Sequence, residues 1–565
     1  MNQSTTILVL PEETVVGILV QCGYLSIISF SHTCKKAHKT VKLSARLKLS
    51  IELGMCGFKL VDEYTKGHIS LSSVMKEFQD YQKALSNFGL GPMIRQPVDL
   101  QGINIPRAQW HLRNGTYSFD FHTPSSDQAI GFPQFNSAQV VDLGPLNVPR
   151  TLTFGQVFHA RTMDSNQDLM ILGENGAPRL GSISFHLRST ETGKPHPLAR
   201  TSTICVDLES PILDSIRITY QEAMGQYFMA GIYIENLGRC VHEILLWDWR
   251  SGKLVMRVRS EQEVFPVFLD EHHIIIYSLV PRGDFRSQHP ALFIYRIPKI
   301  LQGHDLPPAA TYYLSRYPVQ NPTLVLELPE LDSSATIDRD SLALGIQPLP
   351  GDVAFSKAAT FVFTRTIIIE LSFGVRETSA DEHSLDLDQW ELGNWSHYQV
   401  FVHTDHLHAQ LKECQHQPES TATKYVPWAR WGPAATRWFQ TSLAESGMGS
   451  LCGSRYVGVN VSTLQPSVTL SLYDFDIPVF KKYVATEVSA HGTGVAEQPA
   501  PVGGQISDCE VRMLGSETET VIVHGFKNPV VSRLAYRVAT RTQPIPLHAH
   551  WRLSGEYLVG VVSTI

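Results

Sequence analysis

The chain has 565 residues, 43% of them hydrophobic and 18% charged, with a formal net charge of -7. An apolar share near the globular norm excludes a mostly disordered chain, and the length predicts about three to five domains, fewer if one is a large all-β unit. Mild acidity excludes general nucleic-acid binding, which needs concentrated Lys and Arg, and eight scattered cysteines without a C-x-x-C pair exclude zinc ribbons and thioredoxin-like redox motifs.

The N-terminus has no basic segment and only a four-residue apolar run, Ile7 to Leu10, so it is not read as a signal peptide. The longest apolar stretches, such as Ile274–Val280, fall far short of the ~18 residues of a membrane helix. The expected setting is therefore cytoplasmic and/or nuclear, with no membrane contact and with reduced cysteines. Asn-x-Ser/Thr triplets at Asn2, Asn114, Asn394 and Asn460 are then chance matches. Residues 1–50 hold six bases (Lys35, Lys36, Lys39, Lys42, Arg46, Lys48) against Glu12 and Glu13, so an otherwise acidic chain begins with a basic head. That head suits an acidic partner or is simply a solvated helix face.

The first 90 residues read as helices. Pro11 stands at a first helical position, Glu12 and Glu13 favour the positive helix end, and Val15, Ile18 and Leu19 recur at helical spacing until Cys22-Gly23. Ser26 is the expected N-cap of a second helix, with Ile27, Phe30 and Cys34 as its apolar stripe. A third, basic segment runs from Lys35 to Leu53. Leu71, Val74, Met75, Phe78, Tyr81 and Leu85 then form one helical face between a Ser70 cap and a Gly89 stop.

After about residue 108 the period becomes two. Asn114-Gly115 between His111–Arg113 and Thr116–Phe119 predicts a hairpin, because Asn-Gly tolerates the positive φ angles of a type I′ turn. Alternating runs follow at Ile183–Leu187, Phe228–Ile234, Ile244–Leu246, His272–Ser278, Leu292–Ile297, Thr360–Ile369, Tyr398–His403, Tyr456–Val461, Val468–Phe475 and Thr520–His524, with no comparable helical stretch between them. Residues 300–352 (Pro, Asp and Ser), 376–392 (six acids in seventeen positions) and 483–508 (Gly, Ala, Pro and Ser) read as loops or insertions. The expected fold is multidomain: an all-α head at 1–50, a helical linker at 51–107 and a large all-β domain at 108–565.

The head resembles an F-box, the short helical motif that binds the Skp adaptor of SCF ubiquitin ligases. Leu10-Pro11-Glu12-Glu13 stands where the family opens with Leu-Pro, and Ile18-Leu19 matches its Ile-Leu. Cys22 replaces a leucine, Ser26-Ile27 an Asp-Leu pair, and Thr33-Cys34-Lys35 the Val-Cys-Lys of the second helix; Ala37 replaces a bulky apolar residue. With Ile51–Met55, the helix over Ser70–Phe88 and Trp110-His111-Leu112, the chain looks like basidiomycete-type fungal F-box proteins. The β body also resembles a degenerate WD-repeat propeller: Gly225–Val258 contains Ile244-Leu245-Leu246-Trp247-Asp248 and a Ser251-Gly252-Lys253 turn. Weaker echoes occur at Phe185–Leu187, Ile294–Ile297 and Leu472–Phe475, at spacings longer than a strict WD array. A pair of β-sandwiches is the alternative.

No Walker A loop, G-x-G-x-x-G, H-E-x-x-H or G-x-S-x-G occurs. His403 to His408 is the densest ligand-like cluster; on a strand, His406 and His408 would share a face, but a polar turn explains them equally and no metal is assigned. Trp428, Arg430, Trp431, Arg437 and Trp438 are residue types that dominate binding hot spots, and they are candidate target-binding residues if this segment reaches a rim. Packing of the tryptophans between blades is the competing reading. The resemblances imply a non-catalytic substrate receptor of an SCF ligase, needing no cofactor. Leu10, Pro11, Ile18, Leu19, Ile27, Phe30, Cys34 and Lys35 would face a Skp-family adaptor of a cullin-based ligase, and the β domain would hold an unidentified target protein. A scaffold with a β-propeller binding domain and no ligase partner is the alternative.

Overall fold

A computed structural model describes residues 10–61, 70–86, 88–91, 109–121, 134–143, 148–175, 181–209, 214–280, 289–298, 311–356, 359–377, 395–415, 422–441, 449–461, 468–476, 509–543 and 550–561. A helical N-terminal part precedes a mostly β body. Four helices open the chain: α1 (Glu12–Val20), α2 (Tyr24–Ser31), α3 (Lys35–Leu43) and α4 (Ala45–Met55). Ser26 is not a cap: Gly23 takes the extended N-cap conformation, and Ser26 lies inside α2 with its amide on the Gly23 carbonyl at 2.9 Å. The basic segment is two helices, because Ser44 leaves helical geometry and its Oγ accepts the Leu47 amide at 3.3 Å, starting α4 afresh. Cys34 caps α3 with its thiol on the Ala37 amide.

These helices close a small core of Val15, Leu19, Ile27, Val41 and Leu47. α4 serves two cores at once. Leu47 belongs to the head, while Leu49 and Leu53 join the β body through Phe58, Phe78 and Phe361. Gly54 permits the tight crossing, since a Cβ there would lie 2.7 Å from the Tyr24 side chain. A domain boundary at residue 50 therefore falls inside a helix.

The segment after α4 is part of the body as well. Phe58–Val61 pairs antiparallel with Thr360–Phe363, which pairs with Val353–Ser356. Helix α5 (Leu71–Ser86) starts at Ser70, whose Oγ accepts the Ser73 amide at 3.2 Å, and ends where Phe88 turns left-handed. Its apolar face lies on Phe58 and Phe361, with Phe58–Phe78 ring centroids 5.8 Å apart and Phe78–Phe361 also 5.8 Å apart.

Six larger sheets make up the body, each an antiparallel meander that follows chain order over its first three or four strands. Sheet I holds Gln109–Arg113, Thr116–Phe121, Phe135–Asp142 and Arg150–Phe158; sheet II holds Ala160–Asp164, Leu169–Asn175, Ser182–Ser189 and Thr203–Asp207. Sheet III holds Ser215–Met224, Tyr227–Asn236, Arg239–Asp248 and Lys253–Ser260, and sheet IV Val264–Asp270, His273–Val280, His289–Arg296 and Leu324–Glu327. Sheet V holds Ala335–Gly345, Ile368–Glu377, Trp395–His403 and Thr436–Thr441, and sheet VI Ser450–Cys452, Arg455–Val461, Val468–Asp474, Tyr536–Gln543 and Cys509–Leu514. Thr311–Tyr313 adds in parallel to sheet II and Lys424–Val426 to sheet IV. The Asn114-Gly115 turn has φ of 53° and 70°, the type I′ signature the sequence calls for.

The sheets adjoin in succession. The first strands of sheets II and III touch, as do those of III and IV, and of IV and V. The Gly453 amide at the start of sheet VI donates to the Gln347 carbonyl just after the first strand of sheet V. A C-terminal hairpin, His550–Ser554 with Tyr557–Val561, then lies between sheets VI and I: Leu553 N donates to Ser450 Oγ at 2.9 Å and Gly115 N to Ser554 Oγ at 3.3 Å.

Three expectations change. The described part of 300–352, residues 311–352, contains three strands where a loop or insertion is expected, because Tyr312, Leu324, Val325 and Leu326 are buried in neighbouring sheets. Thr360–Ile369 is two strands in different sheets, switching where both the amide and the hydroxyl of Thr364 bond the Gly57 carbonyl. Two helices, α6 (Thr404–Gln415) and α7 (Trp428–Ala435), interrupt the body. Most of 376–392 and all of 483–508 lie outside the described residues.

Truncating Phe58, which contacts Phe78, Tyr81 and Phe363, should destabilise the body by about 3–5 kcal/mol in urea unfolding, because it empties the contact between α5 and the sheets. A Phe58→Ala midpoint equal to wild type would contradict the integration of the linker into the body.

Candidate functional site

The residues expected to face an adaptor separate into two groups. Leu19 and Ile27 are buried in the head core and Phe30 packs against it, so these three hold the helices on one another. Leu10, Pro11, Ile18, Cys34 and Lys35 are exposed. Leu10 and Ile18 are each 41% exposed, and Leu25 and Leu43, missed from the sequence, are 63% and 66% exposed. Four of the twelve large exposed apolar side chains among the described residues thus sit between Leu10 and Leu43. The Ala37 amide holds the exposed Cys34 thiol below its ordinary pKa.

The tryptophan–arginine cluster is interior, which corrects its reading as a docking site. Trp438 and Trp431 are buried, and Trp428, Phe373, Tyr398 and Phe526 ring Trp438 at 5.5–5.9 Å. Arg437 is fully buried: its Nε donates to Leu534 O at 2.7 Å and one Nη to Thr518 O at 2.9 Å, while its guanidinium lies over Tyr536. These carbonyls come from residues 81 to 97 positions away, so no local pattern foretells the burial. Arg430 alone of the five is exposed, and it pairs with Glu413 at 3.1 Å.

The histidine cluster does not lie on one strand. His403 ends a strand of sheet V, and His406 and His408 are on α6, whose Leu407 and Leu411 are buried at helical spacing. Among the described residues no group of three His, Cys, Asp or Glu is arranged to hold a metal ion. Burial, against the pull of Asp405, takes His403 down to about 4; its Nδ1 accepts the Asp405 amide. Burial likewise takes His242 down to about 4, with Arg217 adding to the effect.

A polar cavity of about 280 Å³, announced by no motif, lies where sheets I, II and III, the segment after the first strand of sheet V and the C-terminal hairpin meet. Arg113, from the first strand of sheet I, spans it. Its guanidinium donates to Asp352 Oδ1 at 2.9 and 3.1 Å, to Glu222 Oε1 of sheet III at 2.9 Å, to Ala223 O at 2.8 Å and to Met163 O of sheet II at 3.3 Å. Burial works against the Arg113 charge, but the two carboxylates outweigh it and hold its pKa above the ordinary value. Burial raises the pKa of Asp352 and of Glu222 against the opposing pull of Arg113. Asp352 also accepts the Leu349 amide, and Glu222 accepts Tyr220 Oη at 3.3 Å. A second arginine, Arg161, is committed to Asp120 at 2.7 Å and Ser118.

The helical linker backs one wall. Gly555 at the tip of the C-terminal hairpin takes φ of 56°, and a Cβ there would fall 1.8 Å from Ala354 O, so only glycine fits. Its carbonyl accepts Tyr81 Oη of α5 at 3.4 Å.

No family model and no curated protein matches this chain. Among solved structures, extracellular domains 1–2 of Drosophila Semaphorin 1b are similar over 65% of this chain and 84% of that one, at 7% identity and a TM-score of 0.22. A Bombyx mori GH32 beta-fructofuranosidase in complex with sucrose is similar over 86% and 99%, at 8% identity and a TM-score of 0.22. Overlaps this slight define neither a shared fold nor an activity. No helix among the described residues is long and apolar enough to cross a membrane.

Two outcomes follow from the buried charges. Arg113→Met strands two carboxylates and should cost about 3–5 kcal/mol, part of which Asp352→Asn with Glu222→Gln should restore; equal urea midpoints for the single and triple variants would rule out the network. For His403 and His242 the folded pKa lies below the unfolded value of 6.5, so the unfolded chain binds more protons between pH 6.5 and 4. Stability should fall on acidification through that window, and the pH slope of the midpoint should flatten in a His242→Gln, His403→Gln double variant.

Proposed function

We propose that this chain is the substrate-receptor subunit of an SCF-type ubiquitin ligase, with the head on a Skp-family adaptor and the β body holding a target protein. One observation carries the reading: the head closes its own core and still leaves Leu10, Pro11, Ile18, Leu25 and Leu43 exposed. A helical module that merely capped the β body would turn its apolar residues towards it, as α4 and α5 do with Leu49, Leu53 and Phe78. Lys35 and the exposed bases of α3 and α4 give the same module a rim suited to an acidic partner.

The body is read as propeller-like. Supporting this are the chain-ordered meanders, the adjoining first strands of sheets II to V, and the C-terminal hairpin that contacts both sheet VI and sheet I. Such a receptor makes and breaks no bonds. It raises the local concentration of a target lysine near the ubiquitin-conjugating enzyme. Connecting loops at one rim of the body are where a target would be held.

Co-expression with a Skp-family adaptor tests the assignment. Ile18→Asp should weaken adaptor retention at least about tenfold with a stability change within ~0.5 kcal/mol, because its side chain is exposed. Leu19→Ala, in the head core, should instead destabilise the head by about 2–5 kcal/mol. A wild-type chain that fails to retain the adaptor in mild salt favours a non-ligase scaffold.

A further inference from the structure

We propose that this polar cavity between the sheets and the C-terminal hairpin is a binding site for a carboxylate, anchored by Arg552 and by the side-chain amides of Asn114 and Gln221. Five buried polar atoms on its walls have no hydrogen-bond partner: Asn114 Nδ2, His111 Nε2, both Nε2 and Oε1 of Gln221, and Arg161 Nε, which has Asp120 only as an ion-pair neighbour at 2.7 Å. Asn114 uses only its Oδ1, for the Val353 amide at 3.0 Å, and His111 Nε2 stands 3.6 Å from Asp120, too far for a hydrogen bond. Burying a polar group without a partner is unfavourable and folded proteins leave few such orphans, so several on one cavity call for a polar occupant.

The charges choose its sign. Asp352 and Glu222 are committed to Arg113, and Arg161 to Asp120. Arg552, exposed on the C-terminal hairpin and lining the same cavity, has no hydrogen-bond or ionic partner among the described residues. Glu370 lies within its field without pairing and is instead bonded by Gln399. The free capacity is thus one guanidinium fork and two amide N–H groups, a donor set that matches the two oxygens of a carboxylate. Gln221 Oε1 adds an acceptor for a hydroxyl or N–H elsewhere on the ligand. A phosphate dianion would concentrate two charges on one group beside Asp352 and Glu222, where each carboxylate group carries one. The volume, at the lower end of the ~300–1,000 Å³ of small-molecule sites, suits one acidic side chain or one small free acid. The side-chain source rests on the target-holding role proposed above; the free acid does not.

Calorimetric titration of the full chain with four probes tests this: succinate, acetylated and amidated glutamate, neutral succinamide, and inorganic phosphate. One carboxylate should bind, and at least about tenfold more tightly than succinamide or phosphate. Tighter succinate identifies a free acid as the ligand type, and tighter glutamate derivative an acidic side chain. Arg552→Gln should weaken the preferred probe about tenfold. Asn114→Gly, which keeps the positive φ of the turn, should weaken it less, about threefold. If Arg552→Gln lowers the unfolding midpoint, Arg552→Lys replaces it, and loss of the fork should still weaken the probe. The site is refuted by any of three results: no carboxylate binding at 10 mM (about 100 times a typical metabolite-site Kd), succinamide or phosphate binding as tightly, or Arg552 variants that bind as wild type. Adaptor retention should be unchanged in all of these variants, so a failed titration and a failed ligase assignment remain distinguishable.

Discussion

One guanidinium, that of Arg113, holds together parts of the chain that share no sheet. It sits on the first strand of sheet I and reaches sheet II through the Met163 carbonyl, sheet III through Glu222 and Ala223, and the turn just before Val353–Ser356 through Asp352. Two carboxylates around one cation would repel each other without it, and their burial makes that repulsion severe. The rest of the cavity follows from this arrangement. With Asp352 and Glu222 drawn inward, the Asn114 turn is pinned through the Val353 amide, and Arg552 is left facing the open space.

The head and the body are physically continuous. α4 puts Leu47 into one core and Leu49 and Leu53 into the other, and Tyr81 of α5 touches the hairpin that carries Arg552. The head is therefore held at a set position relative to the sheets by packed side chains, and not by a tether. Under the function proposed above, such rigidity would fix the direction in which a held target is presented.

Much of the local structure was legible in the residues. Asn114-Gly115 announced its turn because few other pairs accept two positive φ angles, and the helix from Leu71 showed its face because Val74, Phe78 and Tyr81 return every three or four positions. α6 was hidden because its buried residues, Leu407 and Leu411, follow directly on an alternating strand, so that either period fits over a few residues. Burial of Trp431, Arg437 and Trp438 was hidden for another reason: the residue types that dominate interfaces also fill cores, and the carbonyls that receive Arg437 lie far along the chain. The cavity had least signal of all. Arg113, Gln221, Asp352 and Arg552 come from four distant segments, and only the succession of sheets brings them together.

The contact between the Asn114-Gly115 turn and the C-terminal hairpin has a kinetic consequence. Gly115 and Ser554 are 439 residues apart, so at roughly 5–20 residues per second a ribosome needs about 20–90 s to make the second after the first. During that interval the first strand of sheet I lacks its last neighbour, and the Arg113 side of the cavity faces water. The helical head, whose contacts are nearly all local, folds on a far shorter timescale. A nascent chain would therefore complete its helical head well before its cavity exists, and the Arg113 wall would wait, unpartnered on one side, for the last few residues of the chain.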